Sequence, residues 1–412
     1  MSLANELEKR GFIHQISGPS LAEIVDGEQR TIYHGIDPTA DSAHAGNMVL
    51  WMLLRHLAQA GHKIIFLVGG GTGMIGDPKP DTERELKEPT AVAENVTKLK
   101  NQAERFFTGY DIEFVDNLQW LGELKLIDFL RDIGKHYTVN ELIKKDAIAT
   151  RLTSDTGLSY TEFAYPLLQG YDYLQLFETK GCTIQVGGSD QWGNIISGVE
   201  LVRRKVQAEV YAITTPLIVD KSTGKKFGKS EGNAVWLDPE KTSPYQFYQF
   251  WLNVSDDSVI EHLKRFTFLP LVEIDQIAQN HEMEPGARVA QKALAFAVTT
   301  LVHGTEAAEA SLKVSNILFG GEITELTLEE QNVLQANAPT TVVMLDTDIV
   351  SVLVESGLAT SKREARTFLE AGAVSLGGQK ATLETVLTEA LFTNRIAILK
   401  RGKKQLCVLT LK

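Results

Sequence analysis

His44, Gly46 and Asn47 close the stretch Tyr33-His34-Gly35-Ile36-Asp37-Pro38-Thr39-Ala40-Asp41-Ser42-Ala43-His44-Ala45-Gly46-Asn47, and their types and spacing suit the handling of an anion. The apolar lead Thr31-Ile32-Tyr33 passes through Gly35 and Asp37-Pro38 into an apolar run over 48–60, which reads as strand, loop and helix. The first turn of a helix presents unpaired N–H groups and a partial positive charge, so it attracts phosphate. His44 and Asn47, at i and i+3, fall on one face of that turn, and Gly46 removes a side chain that would hold a ligand off the backbone. A capped helix with a stray histidine would look the same, so a second element must decide.

That element follows the strand-like run 211–219, in Asp220-Lys221-Ser222-Thr223-Gly224-Lys225-Lys226-Phe227-Gly228-Lys229-Ser230-Glu231-Gly232. It nearly matches a phosphate-binding P-loop, but that motif needs four residues between its glycines and only Lys225, Lys226 and Phe227 intervene here. What remains is a glycine-flanked loop whose lysines could close over a polyphosphate.

Other polar groups gather where strands end. A helix starting after Thr161 carries Tyr165, Gln169 and Asp172 at i, i+4 and i+7, one face of an otherwise apolar segment. Such a face is either hydrated or buried with partners. The strand 183–186 opens into Gly187-Gly188-Ser189-Asp190-Gln191-Trp192-Gly193-Asn194, before an apolar helix over 195–202. The strand 63–68 empties into Gly69-Gly70-Gly71-Thr72-Gly73-Met74-Ile75-Gly76-Asp77, which contains a G-x-G-x-x-G. A dinucleotide site would need a helix next, whereas Asp77-Pro78 and a charged run to Glu88 follow, so these glycines are expected to let backbone approach a different ligand. Within the polar run, Lys79 and Arg84 either reach a phosphate or belong to a solvated face.

Alternation of strands and helices through 31–219 predicts an α/β domain with a parallel sheet, and helical periods are also read over 90–107, 124–133 and 139–149, with a strand at 112–115. Beyond it, Ser243-Pro244 opens a helical stretch through Phe247, Phe250, Trp251, Val259, Leu263 and Phe266, followed by helices over 285–303 and 306–319. A linker is read around 335–340, then a short helix at 349–355, a capping box Ser361-x-x-Glu364 and a hairpin at Gly377-Gly378. With 412 residues the chain has room for two or three domains. Net charge is −12, but from 345 to 412 there are 10 Lys+Arg against 7 Asp+Glu, a local +3 that leaves −15 upstream. Cys182 and Cys407 lack disulfide or metal spacing, the N-terminus lacks an apolar leader, and no apolar run approaches the ~18–20 residues of a membrane span; a cytoplasmic protein is expected.

Four blocks in register resemble the class I aminoacyl-tRNA synthetases, and within them the bacterial tyrosyl enzymes. His44-Ala45-Gly46-Asn47 is similar to the HIGH signature, with Asn47 where the family has a second histidine, and Lys226-Phe227-Gly228-Lys229-Ser230 is similar to the KMSKS loop. Tyr165-x-x-x-Gln169-x-x-Asp172 and the block 187–194 resemble sequences peculiar to the tyrosine enzymes.

The resemblance implies a Rossmann-like catalytic domain over 1–233 with a dimerisation segment inserted at about 100–150, an α-helical anticodon-binding domain over 234–330 and a small α+β S4-like RNA-binding domain over 345–412. It implies that tyrosine and ATP form tyrosyl-adenylate and that the tyrosyl group passes to the terminal ribose of tRNA(Tyr). His44, Asn47, Lys226 and Lys229 would stabilise transition-state charge. Tyr33 and Asp172 would meet the substrate phenol, Asp77, Tyr165 and Gln169 its ammonium, and Gln191 its carboxylate or the α-phosphate. Gly35, Asp37, Thr39, Gly46, Gly188, Asp190 and Ser230 would join the ATP site, and Lys362, Arg363 and Arg366 would rest on tRNA. No bound cofactor or metal cage is expected, Mg2+ coming with ATP, and a homodimer is implied. A tryptophanyl enzyme, a class I-fold nucleotidyltransferase or an inactive RNA-binding paralogue would share parts of this pattern.

Overall fold

The computed structural model describes residues 1–79, 82–153, 157–219, 227–230, 233–319, 326–402 and 405–412. They form two units, 1–242 with 254–294, and 243–253 with 295–412.

The first unit is built on strands β1 (Gln15–Ile16), β2 (Thr31–Ile36), β3 (Lys63–Val68), β4 (Ile112–Asp116), β5 (Cys182–Gly188) and β6 (Tyr211–Thr215), in the order β1-β6-β5-β2-β3-β4. β2 to β6 run parallel and β1 lies antiparallel on β6. Parallel strands are covered on both faces, which is why Ile64 to Val68 form an uninterrupted buried run. Helix Met48–Gln59 crosses from β2 to β3, and Trp192–Val206 from β5 to β6. The chain steps from β2 out to β3 and β4, then returns to add β5 and β6 on the other side. That reversal opens a crevice at the carboxyl ends, where open α/β sheets bind ligands.

β3 leads into a single 3-10 turn, Thr72–Met74, after which the described residues 75–79 and 82–88 form no helix or strand. A Cβ on Gly70 would collide with the Asp116 carboxylate, and one on Gly73 would lie 2.7 Å from Pro38. These two glycines therefore make room for the protein's own groups, where the sequence reading had the run approach a ligand. The stretch 139–149 is two helices, Val139–Leu142 and Asp146–Leu152, because Lys145 is extended and its ammonium bonds the Gly193 carbonyl. After the lysine-rich loop, β7 (Lys229–Ser230) and β8 (Asn233–Ala234) make a short antiparallel ladder.

The second unit contains helices Pro244–Leu252, Thr305–Leu318 and Leu328–Asn337, together with 295–303 of helix Val289–His303. Residues of the expected helical domain 234–330 thus fall in both units. Its sheet joins β9 (Thr340–Val343), β10 (Val374–Leu376), β11 (Gln379–Lys380), β12 (Ile396–Arg401) and β13 (Gln405–Leu411) in the order β11-β10-β12-β13-β9. Alternate strand residues point to opposite faces. Ile396, Ile398 and Val408 pack with Val314, Ile317 and Leu334, whereas Ala397, Leu399 and Leu409 pack with Val352, Leu353, Ala365 and Leu369.

The stretch 335–340, read as a linker, is the end of helix Leu328–Asn337 and the start of β9. That helix starts on a Thr327–Glu330 capping box and buries Leu334, too little apolar surface to show a period. Helix Ile349–Glu355 matches its reading, and Gly377 and Gly378 turn from β10 to β11 at φ of 56° and 80°. Ser361 caps helix Lys362–Glu370, but Glu364 accepts from Thr360 rather than from Ser361, so the reciprocal bond is shifted by one residue. Among the described residues no helix is long and apolar enough to cross a membrane.

Candidate active site

The loops that leave β2, β3, β5 and β6 enclose a cavity of about 310 Å³. Gly35, Asp37, Thr39, His44, Gly46, Asn47, Asp77, Arg84, Tyr165, Gln169, Gly188, Asp190 and Gln191 line it, so most of the residues singled out from distant parts of the sequence share one cavity. A narrower inner chamber shares Gly35, Asp37, Tyr165, Gln169, Gln185 and Gln191 with that cavity, and adds Tyr33, Thr72 and Asp172.

The histidine turn is a short 3-10 turn, Ala45–Asn47, running into helix Met48–Gln59. His44 is its N-cap, accepting the Gly46 N–H on Nδ1 at 3.0 Å, while Asn47 Oδ1 accepts the His44 N–H at 3.0 Å. This reciprocal cap fixes both groups. Accepting on Nδ1 puts the neutral ring's proton on Nε2, and using Oδ1 leaves Asn47 its amide N–H groups as donors. Trp236 meets the His44 ring edge-on at 6.2 Å.

The far loop comes directly onto this turn. The Ala45 N–H donates to the Val235 carbonyl at 2.8 Å, and the Val235 N–H donates to the Gly228 carbonyl at 2.9 Å. A Cβ on Gly46 would come 2.9 Å from the Phe227 carbonyl oxygen. Lys226 lies outside the described residues, and Lys229 and Ser230 are described only as the backbone of β7.

Deeper in, Asp172 is buried and accepts from Asn117 Nδ2 at 2.9 Å and Trp120 Nε1 at 2.7 Å. Burial pushes its carboxyl up to about 7, against the two donors, with Asp37 raising it further. The Tyr33 hydroxyl is buried without a partner, as are Oε1 of Gln169 and Oε1 of Gln185. An orphaned buried polar group is costly, so three of them around one chamber mark a place built for a polar ligand. Asp37 accepts from Thr72 Oγ1 and Tyr165 Oη, each at 2.7 Å, and burial raises its pKa.

Asp77 is pushed up to about 6 by burial and accepts from Gln191 at 2.8 Å and Asn194 at 2.9 Å. Arg84 donates from Nε to the Asp77 carbonyl at 2.7 Å. Lys79 is exposed and does not line the cavity. Lys362, Arg363 and Arg366 are exposed on their helix in the second unit. Sequence reasoning missed Asn117 and Trp120, which sit in a helix-turn stretch without any local signal, and it missed His34 and Gln185, hidden inside strands. Burial holds the His34 imidazole down at about 4.

Residues 26–320 match the family model of class I tRNA synthetases (W and Y), and residues 330–409 match that of the tyrosine–tRNA ligase SYY-like C-terminal domain. A tyrosine–tRNA ligase of Lactococcus lactis subsp. cremoris is 45% identical, with 100% of each chain covered. A tyrosine–tRNA ligase 2 of Enterococcus faecalis is 47% identical over 97% of each. Among solved structures, a C-terminally truncated mitochondrial tyrosyl-tRNA synthetase of Aspergillus nidulans aligns with a TM-score of 0.69 at 32% identity, covering 77% of this chain and 94% of that one. With the signatures, the crevice and both family models in agreement, the chain belongs to the bacterial-type tyrosyl-tRNA synthetases of class I.

Proposed function

We propose that the crevice joins L-tyrosine to ATP, releasing pyrophosphate, and that the tyrosyl group of the adenylate then passes to the 3′-terminal ribose of tRNA(Tyr). The observation that carries this reading is the buried, unpartnered Tyr33 hydroxyl in the same chamber as Asp172. A substrate phenol would pair with both. A site built to pair a hydroxyl rejects the analogue lacking it, a rule for which the tyrosyl enzymes are themselves the worked case.

In this reading Asp77, Tyr165 and Gln169 hold the ammonium and Gln191 lies by the carboxylate. That carboxylate is ionised at neutral pH and attacks the α-phosphorus without a general base. Catalysis then consists of stabilising charge that grows on the phosphates. His44 Nε2–H, the Asn47 amide, Lys226 and Lys229 supply donors, with Arg84 at the cavity wall and Lys79 a weaker candidate because it is exposed. Gly35, Asp37, Thr39, Gly46, Gly188, Asp190 and Ser230 contribute to the ATP site. Magnesium travels with ATP; the described residues gather no trio of His, Cys, Asp or Glu ligands for it.

The S4-like segment 345–412 grips tRNA(Tyr) through Lys362, Arg363 and Arg366, and the helical segment 234–330 reads the anticodon. The chain pairs as a homodimer through about 100–150, where Leu126 (69%), Ile127 (70%) and Val139 (62%) are exposed apolar side chains. Its two cysteines are buried and free, in keeping with a cytoplasmic protein. Tyrosine-dependent ATP–pyrophosphate exchange tests the reading: exchange with tyrosine but not tryptophan or phenylalanine is expected, and exchange driven equally by tryptophan would overturn it.

A further inference from the structure

The irregular stretch that carries Arg84 is held from behind by a buried ion pair outside the cavity lining. Arg151, in helix Asp146–Leu152, and Glu162, in the first turn of Tyr160–Lys180, are 0% and 2% exposed in their side chains and meet at 3.1 Å. Arg151 donates both ends of its fork to Glu162, and in addition to the carbonyls of Lys79 at 3.1 Å, Thr82 at 2.6 Å and Gly157 at 2.8 Å. Glu162 Oε1 also accepts the Arg84 N–H at 3.2 Å. The pair therefore grips main chain at 79, 82 and 84, where no helix or strand does so.

A buried ion pair is weak as a source of stability, because taking two charges out of water costs about what their attraction returns; replacing both with apolar groups is often neutral. Its directional bonds are a better means of fixing a loop. Here the consequence is local: the held main chain sets Arg84 across Gly76, with Nε on the Asp77 carbonyl at the cavity wall.

We infer that Arg151 and Glu162 are positioning residues for adenylate formation, fixing the Arg84 loop so that its guanidinium meets the phosphates of ATP. The inference rests on the reading of Arg84 as a phosphate contact given above. Glu162→Gln keeps shape but removes the charge, and Arg151→Lys removes the fork. Each should lower kcat for pyrophosphate exchange about tenfold or more while tyrosine affinity stays within about twofold, since misplacement of a charge by ~1 Å is enough for such a loss. In an Arg84→Ala background neither substitution should lower the rate further. The same loss in both backgrounds, tyrosine affinity falling in step with the rate, or wild-type kcat in both single variants would overturn the inference alone. Wild-type exchange by Arg84→Ala would overturn the phosphate reading of Arg84 and the inference with it.

Discussion

Gly46 and Gly228 touch backbone to backbone: a Cβ on Gly228 would stand 2.9 Å from the Gly46 amide nitrogen. The two residues are far apart in sequence, one beside the histidine of the first turn and the other inside the lysine-rich loop. Gly228 also has φ of +78°, where an L side chain is strained. Gly228→Ala must therefore push the loop off the turn. Adenylate formation should slow by about a hundredfold while tyrosine affinity stays within about twofold, because a small misplacement of charge near the phosphates is costly. Pre-steady-state pyrophosphate exchange beside equilibrium tyrosine binding checks this.

Lys229→Ala isolates the charge from the loop's shape. Removing an interaction made mainly in the transition state lowers kcat and leaves ground-state binding alone. A collapse of equilibrium tyrosine binding would contradict the assignment.

The phenol end is tested through Trp120, which donates to Asp172 at 2.7 Å. Trp120→Phe keeps a ring but leaves one carboxylate oxygen short of its donor. Loss of a hydrogen bond to a charged group is worth ~1.5–3 kcal/mol, so kcat/KM for tyrosine should fall about tenfold or more, with the preference over phenylalanine reduced. Asp172→Ala should abolish that preference. Exchange assays with both amino acids decide, and an unchanged ratio in Asp172→Ala would remove the residue from the specificity site.

Acidity acts on binding and folding in opposite directions. Asp172 at about 7 and Asp77 at about 6 owe their shifts first to burial. Below those values they are protonated and cannot serve a phenol and an ammonium as carboxylates, so tyrosine affinity should fall as pH drops through 7 and 6. The folded protein binds these protons more tightly than an unfolded chain with Asp near 3.9, so between about pH 4 and 7 their contribution to stability declines as pH rises. Titration calorimetry should show tyrosine binding weakening from about pH 8 to 5.5, with a shallower slope in Asp172→Asn, where one of the two titrations is gone. Affinity that does not vary over that range would contradict the carboxylate roles.

Replacing Lys362, Arg363 and Arg366 together by alanine should weaken tRNA binding and flatten its dependence on salt by about one unit of slope per lost phosphate contact. Exchange without tRNA should be untouched.

Much of this was legible in the sequence where chemistry and local pattern coincide. His44-x-Gly46-Asn47 lies at a strand-to-helix junction that the apolar run behind it announces, and Tyr165, Gln169 and Asp172 show their common face through helical spacing alone. Asn117, Trp120, Arg151 and Glu162 were not legible, because no helix or strand spacing announces their partners: Asp172 lies 55 and 52 residues on from Asn117 and Trp120, and Arg151 meets Glu162 from a separate helix 11 residues earlier. The glycines after β3 misled for a related reason: Gly70 and Gly73 answer to Asp116 and Pro38, contacts that exist only once β4 and the β2 loop are in place. The stretch 335–340 was misread because a helix that buries little leaves little periodicity to find.

The C-terminal sheet carries a consequence for anyone who wishes to cut this protein. Because Ile396, Ile398 and Val408 interlock with Val314, Ile317 and Leu334, the tail is no bead on a string that scissors could free. A chain ended before β9 would lay bare the oily side of the helices it leaves behind, at Val314, Ile317 and Leu334.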